Sequence, residues 1–292
     1  MVRAQAFVLV LTVLSGCSKS PRIVVGSKNF TESVLLGEIV SQHIERKLGI
    51  QVDRKLNLGG TLLAHEAIKS GSIEIYPEYT GTALTAVLKR PPARDPAAVF
   101  EEIRRAYREQ WRIEWLGPLG FNNTFAILVR TRDARELDLR TIDDLRRVER
   151  RWTPGFGHEF LQRQDGYPGL VRTYGLNFAS RPRAMELSLI YPALAGGQVD
   201  VIAGDATSAM IDALQLTALE DNRHYFPPYD AIPVVRTAAL RRHPAIASAI
   251  ARLTGKISNR EMRGMNAAVD VRHEDPRQVV REFLARLPRR GE

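Results

Sequence analysis

Short runs that alternate apolar and polar residues take turns with longer runs whose apolar residues recur at helical spacing. "RIVVG" (22–26) is β-rich, and "TESVLLGEIVSQHIERKLG" sets Val34, Leu35, Ile39, Val40 and Ile44 on one helical face. Thr31 is placed to cap that helix and Gly49 to stop it. "IQVDRKLNL" predicts a second strand, "GGTLLAHEAIKSG" a helix ending at Gly71, and "SIEIY" a third strand with Ile73 and Ile75 facing a core. In "YPEYTGT" that strand is expected to end at Pro77. Tyr79 and Thr82 then fall in a strand-to-helix loop, where open α/β sheets bind their ligands.

The alternation continues. Asp95 and Pro96 open a helix through "DPAAVFEEIRRAYREQW", and "TFAILVR" is a β-rich run expected to cross into a second lobe. "TIDDLRRV" predicts a capped helix, "WTPGFGHEF" an irregular stretch, and "AMELSLIYPALAGG" a helix before the strand "QVDVIAG". "AIPVVR" (231–236) is another strand, and the last 50 residues are mostly helical. This order predicts an α/β protein.

With 292 residues, 44% hydrophobic and 26% charged, the chain has room for two domains of about 100 to 200 residues. Its first 17 residues stand apart. One early arginine precedes an apolar run from Ala6 to Leu14, short of the roughly 20 residues that span a bilayer, which marks an export signal. Leu14-Ser15-Gly16-Cys17 resembles the lipobox of bacterial lipoproteins, and Cys17 is the only cysteine, so no disulfide can form within the chain. The resemblance implies lipidation at Cys17, a signal peptide over 1–17 and a tether over 18–21. The net charge of +9 comes from arginine pairs scattered among acidic neighbours rather than from one stripe, which argues against a nucleic-acid partner.

Enzyme motifs are incomplete. His65-Glu66 and His158-Glu159 do not extend to H-E-x-x-H, because Lys69 and Gln162 stand at the second histidine position. "GFGHEF" lacks the third glycine of a dinucleotide fingerprint, and neither a P-loop nor a G-x-S-x-G elbow occurs. No enzyme, metal or cofactor is predicted.

"VVGSKNFTES", "LNLGGTLLAHEAIKSGSIEIYPEYTGT", "LGFNNTFAILVR", "EFLQRQDG", "QVDVIAG" and "FPPYDAIPVVR" together resemble the substrate-binding proteins of ABC importers for quaternary ammonium osmoprotectants: glycine betaine, carnitine and choline. The similarity runs from about residue 22 to the C-terminus. It implies a two-lobed type II periplasmic-binding-protein fold with two crossovers, lobe I at 22–121 plus 232–292 and lobe II at 122–231, closing over a ligand by hinge motion. It also implies a monomer that hands a zwitterion or cation to an ABC permease with its ATPase, although the same fold could present its ligand to a sensor instead.

The resemblance further implies a cage of aromatic rings for a methylated ammonium. Such a nitrogen cannot donate a hydrogen bond and is held by ring faces, each contributing about 0.5 to 2 kcal/mol. Tyr79 and Tyr229 match cage tyrosines, and Tyr76 belongs to the strand. Lys28, Arg163 and Thr82 match the groups that hold a ligand carboxylate, with Thr82 favouring a zwitterion. In the Asn123 block, Phe125 replaces the usual tyrosine and keeps the ring face. Where the family reads Ala-Tyr-Ser/Thr-Thr-Asp, this chain has Gly204-Asp205-Ala206-Thr207-Ser208, placing Asp205 at a cage-tyrosine position and Ser208 at a usual aspartate. Two readings of Asp205 stay open. Either it lies in the pocket and shifts specificity toward a less methylated amine or amino-acid-like ligand, or it faces solvent and Tyr191, Tyr225 or Phe226 completes the cage.

Overall fold

The computed structural model describes residues 22–287. The expected signal peptide, Cys17 and the 18–21 tether lie outside the described residues.

Two five-stranded sheets carry the molecule. The first has the order β2-β1-β3-β10-β4, from β1 (Ile23–Gly26), β2 (Val52–Lys55), β3 (Ile75–Tyr79), β4 (Ile113–Trp115) and β10 (Ala231–Arg236). The second has the order β7-β6-β8-β5-β9, from β5 (Phe125–Arg130), β6 (Pro154–Gly157), β7 (Arg183–Met185), β8 (Val201–Asp205) and β9 (Leu216–Leu219). Each sheet has the same plan. Three strands pair in parallel, and one further strand, β10 or β5, lies antiparallel to both of its neighbours. The chain leaves the first sheet after β4 and returns to it at β10, so it passes between the sheets twice.

β3 runs through the middle of its sheet with all five residues buried. It does not stop at Pro77 as expected. Pro77 lies directly opposite Pro233 in the β3–β10 register. The β1–β3 pairing is at Val25 and Ile75, and the β10–β4 pairing begins at Val234, so neither missing N–H interrupts a neighbouring ladder. Nor is there a loop after Tyr79. The chain turns straight into a helical turn, Thr80–Thr82, that widens into a π-type segment, Ala83–Val87, an irregularity frequent at functional sites. Tyr76 is fully buried among the core residues of the first sheet.

The helix stops at Gly49 and Gly71 are as expected, both in the left-handed conformation, and Asp95 caps its helix through the N–H groups of Ala97 and Ala98. Thr31 is not a cap. Phe30 occupies that position without a side-chain hydrogen bond, and the Thr31 hydroxyl donates to Asp270 at 2.5 Å instead. "TIDDLRRV" has its cap, with Thr141 and Asp144 bonding reciprocally, but forms only a short 3-10 helix. The segment expected to be irregular is regular: it forms β6 and the helix His158–Gln162. Gly155 replaces an apolar residue there because a Cβ would sit 2.7 Å from Val199, so close packing has erased the alternation. Likewise "AMELSLIYPALAGG" contributes to edge strand β7 before its helix begins at Leu187. The C-terminal helices Asn259–Asp270 and Pro276–Arg286 pack Met262, Met265, Val280 and Phe283 against Leu35, Leu36 and Ile39, in a core that also holds Tyr79 and Tyr229.

Gly81 lets this core form beside the cleft, since a Cβ would stand 2.7 Å from the Pro228 carbonyl and 2.8 Å from the Tyr229 ring. Gly81→Ala is therefore expected to displace Tyr229 and to lower unfolding stability by about 1 to 3 kcal/mol, measured by urea denaturation.

Candidate ligand-binding cleft

The turns at the carboxyl ends of β1, β3, β6 and β8 meet around one cavity of about 820 Å³, within the range of small-molecule sites. All eight side chains singled out in the sequence line it: Lys28, Tyr79, Thr82, Asn123, Phe125, Arg163, Asp205 and Tyr229. Six of them are buried, while Phe125 and Asp205 are half-buried.

The rings form a wall. Phe125, at the start of β5, meets Tyr229 edge-on at 5.5 Å and Phe160 at 4.9 Å. Tyr79, at the end of β3, is 6.1 Å from Phe30, an aromatic lining residue that the sequence motifs do not single out. Thr80 fixes the Tyr229 loop against Tyr79, because its hydroxyl donates to the Pro228 carbonyl at 2.9 Å and accepts from the Asp230 N–H at 3.1 Å. Of the other aromatics considered, Tyr191 lines the cavity. Tyr225 is tied into its own half by donating to the carbonyls of Gln164 and Gly166, and Phe226 backs Phe125 at 5.7 Å.

The cations rest against this wall, each paired with a buried acid. Arg163 follows the His158–Gln162 helix and donates to Asp165 at 2.8 Å through Nε and again through Nη2. Its guanidinium lies 5.1 Å from the Phe125 ring centroid and reaches Thr82 Oγ1 and the Tyr229 hydroxyl, both at 3.3 Å. Burial by itself would raise the Asp165 pKa. The Arg163 pair and the hydroxyl of Tyr229, which donates to Asp165, outweigh that and hold it below the usual range. The Lys28 ammonium sits 5.2 Å from the Tyr79 ring centroid and pairs with Glu78. Arg163 and Thr82 therefore come together, whereas Lys28 engages a separate partner.

Glu32 was not legible as a site residue. It lies in the first turn of the Thr31–Leu48 helix and is buried, with hydrogen bonds donated by Tyr79 (2.8 Å), Asn123 (2.9 Å), Asn266 (3.2 Å) and Thr207. Burial raises its pKa, and the four hydrogen bonds oppose the rise. Thr207 follows β8, so this knot joins the two halves. A second link is made by Glu159, which accepts from the Thr61 N–H at 2.7 Å and the Thr61 hydroxyl at 3.0 Å, at the start of the helix Thr61–Ser70. The only signal for Glu159 in the sequence was its place in a failed zinc motif. His65, from the other such motif, is buried edge-on between the rings of Trp111 (4.4 Å) and Tyr107 (5.4 Å). No group of side chains suited to hold a metal ion occurs among the described residues.

Asp205 ends β8 and lies opposite Phe125 in the β5–β8 register, which puts both side chains on the cleft face. Its N–H donates to the Tyr191 hydroxyl at 2.9 Å. Burial first, and then the negative charges of Glu32 and Asp270, push its carboxyl up to about 7. Ser208 is buried, lines the same cavity, and donates its N–H to the Asp205 carbonyl.

Known proteins resemble this chain over most of its length. The chain is 34% identical over 273 residues to the carnitine transport binding protein OpuCC of Listeria monocytogenes, covering 93% of this chain and 88% of that one. It is 31% identical over 280 residues to a glycine-betaine-binding protein of Pseudomonas aeruginosa, covering 92% and 89%. A crystal structure described as a glycine betaine/carnitine/choline ABC transporter superposes with a TM-score of 0.75 at 31% identity, over 90% of this chain and 97% of that one. The fold is thus that of the type II periplasmic binding proteins, and the role is solute binding rather than catalysis. Residues 21–286 match the family model for the substrate binding domain of ABC-type glycine betaine transport systems, and the chain belongs to that family.

Proposed function

We propose that this chain captures a solute of the glycine betaine class outside the cytoplasmic membrane and presents it to an ABC permease with its ATPase. The observation that carries this reading is the meeting of the Tyr79, Phe125 and Tyr229 rings with Arg163, Thr82 and Lys28 in one cavity. The rings receive the methyl groups of a methylated ammonium through ring faces and methyl contacts. Arg163 with Thr82 receives a carboxylate, with Lys28 contributing positive charge, and Asn123 braces the cage through Glu32. The names of the two relatives, one for carnitine and one for glycine betaine, point to the same solute class. Two lobes, 22–121 with 232–292 and 122–231, close over the solute, and the protein acts as a monomer.

Calorimetric titration of residues 22–292 with glycine betaine, carnitine, choline and their N-demethylated analogues should give saturable binding to at least one of them. Tyr79→Ala and Tyr229→Ala should each weaken it about tenfold or more, the loss of roughly 1.4 kcal/mol. Absence of heat with every member of the panel would overturn the proposal.

Cys17 is proposed as the lipid anchor on the strength of its lipobox-like setting, Leu14-Ser15-Gly16-Cys17, after an apolar export signal. Cys17→Ala in the full chain should abolish incorporation of labelled fatty acid and move the protein from the membrane fraction to the soluble fraction.

A further inference from the structure

The charges around the cleft do not balance. Arg163 and Lys28 each already have an acid partner, Asp165 and Glu78. Four acids lining the cavity have no such partner: Glu32 is held by four uncharged donors, Glu159 accepts from Thr61, Asp270 receives the Thr31 hydroxyl, and Asp205 is left without a cation. Among the described residues, no salt bridge reaches any of the four. Asp205 is the least served of them, since its one hydrogen-bonding relief is the Asn123 amide, which also donates to Glu32 at 2.9 Å. Yet it stands beside Phe125, on the face of the aromatic wall where an ammonium would rest.

Resting on the solute class proposed above, we propose that Asp205 sets the choice within it: its carboxylate accepts an N–H from the ligand's charged nitrogen, so the preferred solute keeps at least one N–H rather than being fully methylated. A trimethylated nitrogen offers Asp205 charge but no hydrogen bond, and closing the cleft over it strips water from an acceptor that nothing then satisfies. A dimethylated, protonated nitrogen keeps two methyl groups for the rings and turns its one N–H to the carboxylate, making a charge-assisted hydrogen bond. The groups facing Asp205 are consistent with this. Glu32 and Asp270 disfavour its ionised form, while Lys28 and Asn123 favour it only weakly. A bound cation supplies the missing positive charge.

The test uses two ligand pairs that differ by one methyl group: N,N-dimethylglycine against glycine betaine, and N,N-dimethylethanolamine against choline. At about pH 8, where Asp205 is ionised, the N–H member of each pair should bind about tenfold or more tightly, a difference of roughly 1.4 kcal/mol. Asp205→Asn should shrink that gap, and Asp205→Tyr should reverse it. Should the tyrosine variant melt abnormally, the asparagine variant decides alone. Because the Asp205 carboxyl titrates at about 7, affinity for the N–H ligands should fall as the pH drops from about 8 to about 6, and this fall should vanish in Asp205→Asn.

Equal or tighter binding of the fully methylated members by the wild type, or a gap that Asp205→Asn leaves unchanged, would overturn the inference while leaving the solute class intact. Failure of both members of both pairs, together with carnitine, would instead remove the proposed function, and the inference with it.

Discussion

The cleft is organised around one buried ion pair. Arg163 and Asp165 belong to the half built on the second sheet, yet the groups that complete their coordination, Thr82, Thr85 and Tyr229, lie beside the first. Removing one member of a pair this deeply buried costs about 3 to 5 kcal/mol, because the other charge is left unmatched. The pair thus fixes the height of Tyr229, and Tyr229 in turn sets the wall it forms with Phe125. Polar atoms in an otherwise apolar core hold the rings where a ligand can use them.

How far this could be read from the sequence depended on whether the cause was local. Gly49 and Gly71 stop helices and Asp95 caps one because the backbone geometry within a few residues demands it. The ordered family motifs pointed to eight side chains, and these converge on one cavity. Pro77 misled because a proline in a central strand is tolerated only when its neighbours end early, which depends on Pro233 about 150 residues away. Glu32 was invisible for the same reason: the donors that make it a centre lie 47, 91, 175 and 234 residues further along the chain. β6 was missed because its glycines serve close packing and carry no alternation.

Thr31 and Asp205 show how a residue's type can be right and its task wrong or undecided. Threonine ahead of an apolar run favours an N-cap, but here the hydroxyl reaches the far end of the helix Asn259–Asp270 and Phe30 takes the cap position. An aspartate where the family resemblance implies a ring could have been a solvated surface residue. The pairing of β5 with β8 instead puts it on the cleft face.

Glu159 has a consequence of another kind. The helix Thr61–Ser70 has no side-chain cap of its own, and Gly60, at the cap position, has no side chain to offer. Its first turn is completed by a carboxylate borrowed from the opposite half. Separating the halves returns the Thr61 amide to water, so the first turn of this helix is a built-in gauge of cleft opening. In the lobe closure proposed above, the exchange rate of that one amide proton reports on opening.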